Sequence, residues 1–112
     1  ELIADTFVDH NPPPNISGDK AGQKQIVKLF RSAFPDLRLT IEDMIAEGDK
    51  VAVRIVTRGT HKGELMGIAP TGRSVTFNEQ HIVRFANGRM TEHWGVEDNL
   101  GMMQQLGVVQ AP

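Results

Sequence analysis

The stretch Ser74–Val96, SVTFNEQHIVRFANGRMTEHWGV, carries the strongest local signal in the chain. Asn87-Gly88 lies between two segments of alternating polar and apolar residues, the pattern of a hairpin closed by a two-residue type I′ turn. Such a turn pairs Ala86 with Arg89, Phe85 with Met90, Val83 with Glu92, His81 with Trp94 and Glu79 with Val96. Side chains alternate between faces, so Phe77, Glu79, His81, Val83, Phe85, Met90, Glu92, Trp94 and Val96 share one side. Thr76, Asn78, Gln80, Ile82, Arg84, Thr91 and His93 share the other, which reads as solvated. A three-residue turn with a bulge would swap the faces of the second strand. His93 would then join His81 inside, and Glu92 and Trp94 would point out. The two-residue register is preferred because it places Met90, Trp94 and Val96 in the core.

On the first face, Glu79, His81 and Glu92 interrupt an apolar wall. Buried carboxylates and imidazoles are costly unless paired or reached by water. Their presence predicts a polar-floored cavity, the setting in which pKa values move towards neutrality and general acids and bases arise. A Glu–His–Glu cluster satisfied within itself would need no chemistry, so the same residues also fit a purely structural bridge.

Outward from the hairpin, Leu37, Leu39 and Ile41 alternate with polar residues, and Val51, Val53 and Ile55 follow the Gly48-Asp49 turn. Gly59–Gly72 reads as a long loop, of a length that tends to be functional. Asp19 is a candidate N-cap for a helix to about Ala33, with Ile26, Leu29, Phe30 and Ala33 on one side. Lys20, Lys24, Lys28 and Arg31 form its solvated face. Asp98 is a candidate N-cap for a short last helix ended by Gly107. The spacing of Leu2, Ile3, Phe7 and Val8 predicts a short amphipathic helix over Glu1–Val8, stopped by Pro12, Pro13 and Pro14. The order is helix, helix, hairpin, loop, hairpin, helix, an α+β domain with a strongly curved antiparallel sheet.

The 112 residues fit one domain, with 39% apolar and 23% charged residues and a net charge of −2. Twelve basic against fourteen acidic residues give no reason to expect a nucleic-acid partner. No apolar run is long enough to span a membrane. With no secretory signal, the expected location is cytoplasmic. Cysteine and tyrosine are absent, which removes thiolate and phenol chemistry. His10, His61, His81 and His93 lack ligand spacing, so no metal is expected. The candidates for chemistry are Glu79, His81, Glu92 and Asp98. Phe77, Phe85, Met90 and Trp94 would line an apolar pocket, with His10 and Asn11 at its mouth. His61 reads as a solvated loop residue. Arg54 and Arg58 are either edge charges or anion contacts.

FPD (34–36), GTHKGE (59–64), PTG (70–72) and EHWG (92–95), in this order and preceded by ELIADTFVDHNPP, resemble the SnoaL-like polyketide cyclase (ester cyclase) family. That family belongs to the nuclear-transport-factor-two-like superfamily, and the resemblance covers nearly the whole chain. It implies a cystatin-like fold in which helices on the concave face of the sheet enclose a cone-shaped pocket. It implies cofactor-free aldol ring closure on a polyketide-type ester: a carboxylate removes a proton alpha to a carbonyl, and the enolate attacks a second carbonyl. His81 matches a family histidine on the long strand. Gly95 stands where many relatives carry Asp, and Asp98 is the nearest carboxylate. Asn11 matches a pocket asparagine. Relatives usually have another helix before Glu1 and commonly dimerise through the sheet, so a homodimer is expected. A non-catalytic binding module for a small apolar carbonyl compound is the main alternative. Isomerase or epoxide-hydrolase chemistry on the same scaffold is another.

Overall fold

The computed structural model describes residues 2–109. The elements are β1 (Ile3–Asp9), α1 (Lys20–Ala33), β2 (Arg38–Glu47), β3 (Lys50–Thr60), β4 (Ser74–Ala86), β5 (Arg89–Glu97) and α2 (Asn99–Leu106). The strands form one open sheet in the order β1-β5-β4-β3-β2. β2 to β5 make an antiparallel meander, and β1 adds to β5 in parallel. The sheet is therefore mixed rather than wholly antiparallel.

The helix expected over residues 1–8 is instead strand β1; Glu1 lies outside the described residues. Phe7 and Asp9 are buried while Thr6 and Val8 are exposed, the period-two pattern of a strand. The outer edge of β5 presents backbone groups that need partners. Residues 3–9 supply them, and this pairing outweighs the weak helical spacing of four apolar side chains.

Both helix starts follow the sequence. Asp19 accepts a hydrogen bond from the Gly22 amide at 2.9 Å, and Asp98 accepts one from the Gly101 amide at 2.9 Å. Gly107 closes α2 in the left-handed conformation. Asn87 and Gly88 have φ values of 53° and 76°, the two positive angles of a type I′ turn. Lys20 bonds Asp5 at 2.9 Å and fixes α1 against β1.

The buried core lies at one end of the sheet, where the last turn of α1 meets α2. Ala33, Phe34, Leu65, Val75, Met102 and Leu106 form it. Leu65 comes from the loop after β3, which folds back through a Leu65–Ile68 bridge and closes this end. The loop is thus part of the packing. His61 is fully buried, contrary to the solvated position expected. Its Nδ1 accepts the Thr71 amide at 3.2 Å, and its ring lies 5.7 Å from that of Phe34. No helix among the described residues is long and apolar enough to cross a membrane.

Because Leu65 fills the core from a loop, Leu65→Ala should cost about 2–5 kcal/mol. Urea denaturation measures this; a loss below about 1 kcal/mol would contradict the plug.

Candidate active site

The core occupies one end only, so the rest of the concave face is left open beneath α1. A cavity of about 360 Å³ lies there. Ile26, Val27 and Phe30 of α1 form one side of it, and Val53, Ile55 and Phe77 of the sheet form the other. These contacts explain why α1 has a complete apolar face although few of its residues are fully buried.

The register of β4 and β5 decides what else faces this space. The two-residue turn pairs Ala86 with Arg89 and Phe85 with Met90, as expected. Beyond that point Arg84 pairs with Glu92, Val83 with His93, His81 with Gly95 and Glu79 with Glu97. One residue, Thr91, is left without a partner, and its hydroxyl donates to the Arg84 carbonyl at 3.3 Å. This bulge reverses the faces of β5 from Glu92 onward. The expected pairs Val83–Glu92, His81–Trp94 and Glu79–Val96 do not form. His93, Gly95 and Glu97 turn inward; Glu92, Trp94 and Val96 turn outward. The bulge sits past the turn rather than within it.

Of the residues singled out in the sequence, Glu79, His81, Phe77, Met90 and Asn11 line the cavity. Glu92 does not. It accepts from Arg84 at 3.1 Å on the convex face. Trp94 is also on that face, stacked on His10 at 4.6 Å, with Lys50 5.3 Å and Arg84 5.8 Å from its ring. His10 is thereby drawn away from the cavity. Phe85 is partly exposed at the hairpin end, and Asp98 is the N-cap of α2; neither lines the space. Arg54 pairs with Asp43 at 2.7 Å on the convex side, so it is an exposed surface charge rather than an anion contact of the cavity. Arg31, expected on the solvated face of α1, reaches the cavity rim.

Three cavity residues lie outside the preferred sequence reading: Asp9 and Glu97, which it missed, and His93, which belongs to the register it set aside. Together with Glu79 and His81 they make the polar wall. His93 Nδ1 lies 2.8 Å from Asp9 Oδ1, His93 Nε2 lies 2.7 Å from His81 Nδ1, and His81 Nε2 lies 3.0 Å from Glu79 Oε1. Thr57 donates its hydroxyl to the other Glu79 oxygen. Asp9 Oδ1 also accepts the Asn11 amide at 3.0 Å, and Asn11 Oδ1 accepts the Gly95 amide at 3.0 Å. For His93 the signal in the sequence was the alternative register; for Asp9 there was none.

Counting protons shows what this row can do. Its three contacts between ionisable groups need three protons. Two neutral imidazoles supply two, so all three contacts are hydrogen bonds only when the row carries one proton more than that. Burial pushes the Glu79 carboxyl up, but hydrogen bonds from His81 and Thr57 and the charges of both imidazoles outweigh it. Glu79 is held below the usual carboxylate range and stays ionised. The groups lie in a line, and among the described residues no three of them converge as metal ligands do.

Gly95 makes the row possible. A β-carbon there would lie 2.4 Å from His81 Nδ1 and 2.8 Å from His93 Nε2. Any other side chain would part the two imidazoles.

The cavity is thus largely apolar, with carboxylates and imidazoles gathered on one wall. In comparison with known proteins, residues 1–106 match the SnoaL-like polyketide cyclase family, and the chain belongs to that family. It is 32% identical to a nogalonic acid methyl ester cyclase of Streptomyces nogalater over 101 residues, 87% of this chain and 75% of the relative. It is 39% identical to the aklanonic acid methyl ester cyclase AcmA of Streptomyces galilaeus over 59 residues, 53% of this chain. That match spans only 41% of AcmA, less than half its length. Among solved structures, AclR of Streptomyces galilaeus, proposed to be a hydroxylase, superposes with a TM-score of 0.87 at 31% identity. The superposition covers 99% of this chain and 69% of AclR.

Gly95→Ala should break the His81–His93 hydrogen bond while leaving the fold intact. Histidine side-chain nitrogen NMR reads this directly; unchanged imidazole signals would refute the row. Glu79 contributes stability that is complete above the ordinary carboxylate pKa and is lost as pH falls through its lowered folded value. Glu79→Gln should therefore destabilise the protein at neutral pH, with the difference from wild type shrinking in acid. Thermal melts across pH check the sign.

Proposed function

We propose that this protein catalyses a cofactor-free intramolecular aldol closure of an apolar polyketide-type ester. The observation that carries this reading is the Asp9–His93–His81–Glu79 row set into the wall of an otherwise apolar cavity. A structural bridge would also satisfy these groups, but it would not need an adjoining space of about 360 Å³. The names of the related ester cyclases support the substrate class.

The wall suits the chemistry. Enolate formation places negative charge on a carbonyl oxygen, and ring closure then places it on an alkoxide. The His81–His93 pair, with ionised Glu79 behind it, sets polar N–H groups along the wall beside that oxygen. Proton loss, carbon–carbon bond formation and proton return leave substrate and product as isomers, so no oxidant or reductant is consumed. The apolar side formed by Ile26, Phe30 and Phe77 would hold the carbon skeleton and exclude water. Asp98 acts as a helix cap in this reading. We place the protein in the cytoplasm.

The reading also includes a homodimer. Its support is the convex sheet face, where Ile45 and Val96 are 69% and 68% exposed beside Ile82 and Trp94. An apolar strip of this kind on a sheet favours self-association.

Incubation with aklanonic or nogalonic acid methyl ester, without additives, should give a product of unchanged mass and altered chromatographic retention. His81→Ala should slow closure by about 10²–10⁴-fold. Asp98→Asn, which keeps the cap acceptor, should leave the rate within about twofold. Closure unaffected by His81→Ala would sink the proposal. For the dimer, Ile45→Glu with Val96→Glu should give a monomer by light scattering; an unchanged mass in both proteins would remove the convex face from consideration.

A further inference from the structure

Every carboxylate and imidazole of the cavity wall is hydrogen-bonded within the row except one. Asp9, His93, His81 and Glu79 hold one another, and Glu79 is further tied by Thr57. Glu97 lines the same cavity and, among the described residues, has no hydrogen bond or ion pair. It is partly buried and sits directly across from Glu79 on the neighbouring strand. Cross-strand partners point to the same face with β-carbons about 5 Å apart.

We propose that Glu97 is the base that removes the substrate's α-proton, a role that rests on the aldol reading of the site. Glu79, one of the three carboxylates indicated by the sequence and the one that lines the cavity, is badly placed for this task. Both of its oxygens accept hydrogen bonds, and these same bonds make it a weak base. Glu97 is uncommitted. Burial raises its pKa, the neighbouring charges of Glu79 and Asp9 raise it further, and the His81 charge only partly offsets them. A carboxylate moved towards neutrality is the better proton acceptor at physiological pH.

The geometry of β5 assigns the two ends of the reaction. His81 lies opposite Gly95, and Glu97 is two residues further along the same face, about 7 Å by strand rise. Gly95 adds no side chain between them. A ligand lying against this wall can present its carbonyl oxygen to His81 and its α-carbon to Glu97. The α-carbon–hydrogen bond breaks and its proton passes to a Glu97 oxygen. The electron pair forms an enolate whose oxygen lies against the polar His81–His93 side of the wall. The enolate carbon bonds to the second carbonyl carbon, and the resulting alkoxide takes up the proton that Glu97 holds, so Glu97 is an ionised carboxylate again and no group is gained or lost. The carboxylate missing at position 95 is thus supplied from position 97, and the space at 95 serves the imidazole pair.

The test uses an enolisable apolar ketone, β-tetralone, in deuterated water, beside closure of the two methyl esters. Wild-type protein should accelerate deuterium entry at the α-carbon, with a rate that rises with pH as Glu97 ionises. Glu97→Gln should lower both exchange and closure by about 100-fold or more, abolish that pH limb, and leave tetralone binding by NMR unchanged. Glu97→Asp, which keeps the carboxylate, should restore part of the rate and guard against a folding artefact. Exchange by Glu97→Gln within about threefold of wild type would overturn the assignment, as would absence of wild-type exchange. Exchange without ester closure would overturn the cyclase reading and leave Glu97 standing as the base. Closure undiminished in Glu97→Gln would do the reverse.

Discussion

The unpaired Thr91 determines which chemistry the sheet presents. Without it, β5 would show Glu92, Trp94 and Val96 to the cavity; with it, His93, Gly95 and Glu97 face inward. A one-residue shift moves a whole set of side chains across a sheet. The cost of one interrupted ladder position is softened by the hydrogen bond from the Thr91 hydroxyl to Arg84. The outward set is also accommodated. Glu92 meets Arg84, and Trp94 lies between His10 and the cations of Lys50 and Arg84. Both faces of β5 are thus satisfied in the bulged register, which explains why the more apolar alternative does not form.

The bulge and strand β1 act together. Inward His93 needs a carboxylate, and Asp9 is brought to it by the parallel pairing of β1 with β5, which sets Asp9 beside His93. Asp9 is almost fully buried and fixes the following turn through the Asn11 amide. Asn11 in turn holds the Gly95 amide, so the chain leaving β1 secures the position whose missing side chain admits the two imidazoles. Edge pairing, bulge and hydrogen-bonded row are one arrangement.

Much of this was legible in the sequence. The N-caps Asp19 and Asp98, the Asn87-Gly88 turn, the Gly107 stop and the meander of β2 to β5 follow from local signals, each with a short-range physical cause. Glu79 and His81 were identifiable because alternation from a known turn fixes the face of β4. The same reasoning failed on β5, since alternation assumes an unbroken ladder and nothing local marks Thr91. It failed at the N-terminus because β1 owes its form to an edge distant in sequence. His61 appeared solvated for a related reason: its partners, Phe34 and Thr71, are brought to it by the fold. Asp9, His93 and Glu97, outside the preferred reading, all depend on long-range register.

The placement of the core at one end has a consequence for how such a protein can change. Phe34, Leu65, Met102 and Leu106 hold the helices to the narrow end of the sheet, whereas the residues around the mouth, such as Val27 and Leu39, have little packing to lose. Substitution there changes the shape offered to a ligand at small thermodynamic cost. The scaffold thus separates the part that must be kept from the part that is free to vary. A lineage built on it can exchange one guest molecule for another through single steps, none of which passes through an unfolded intermediate.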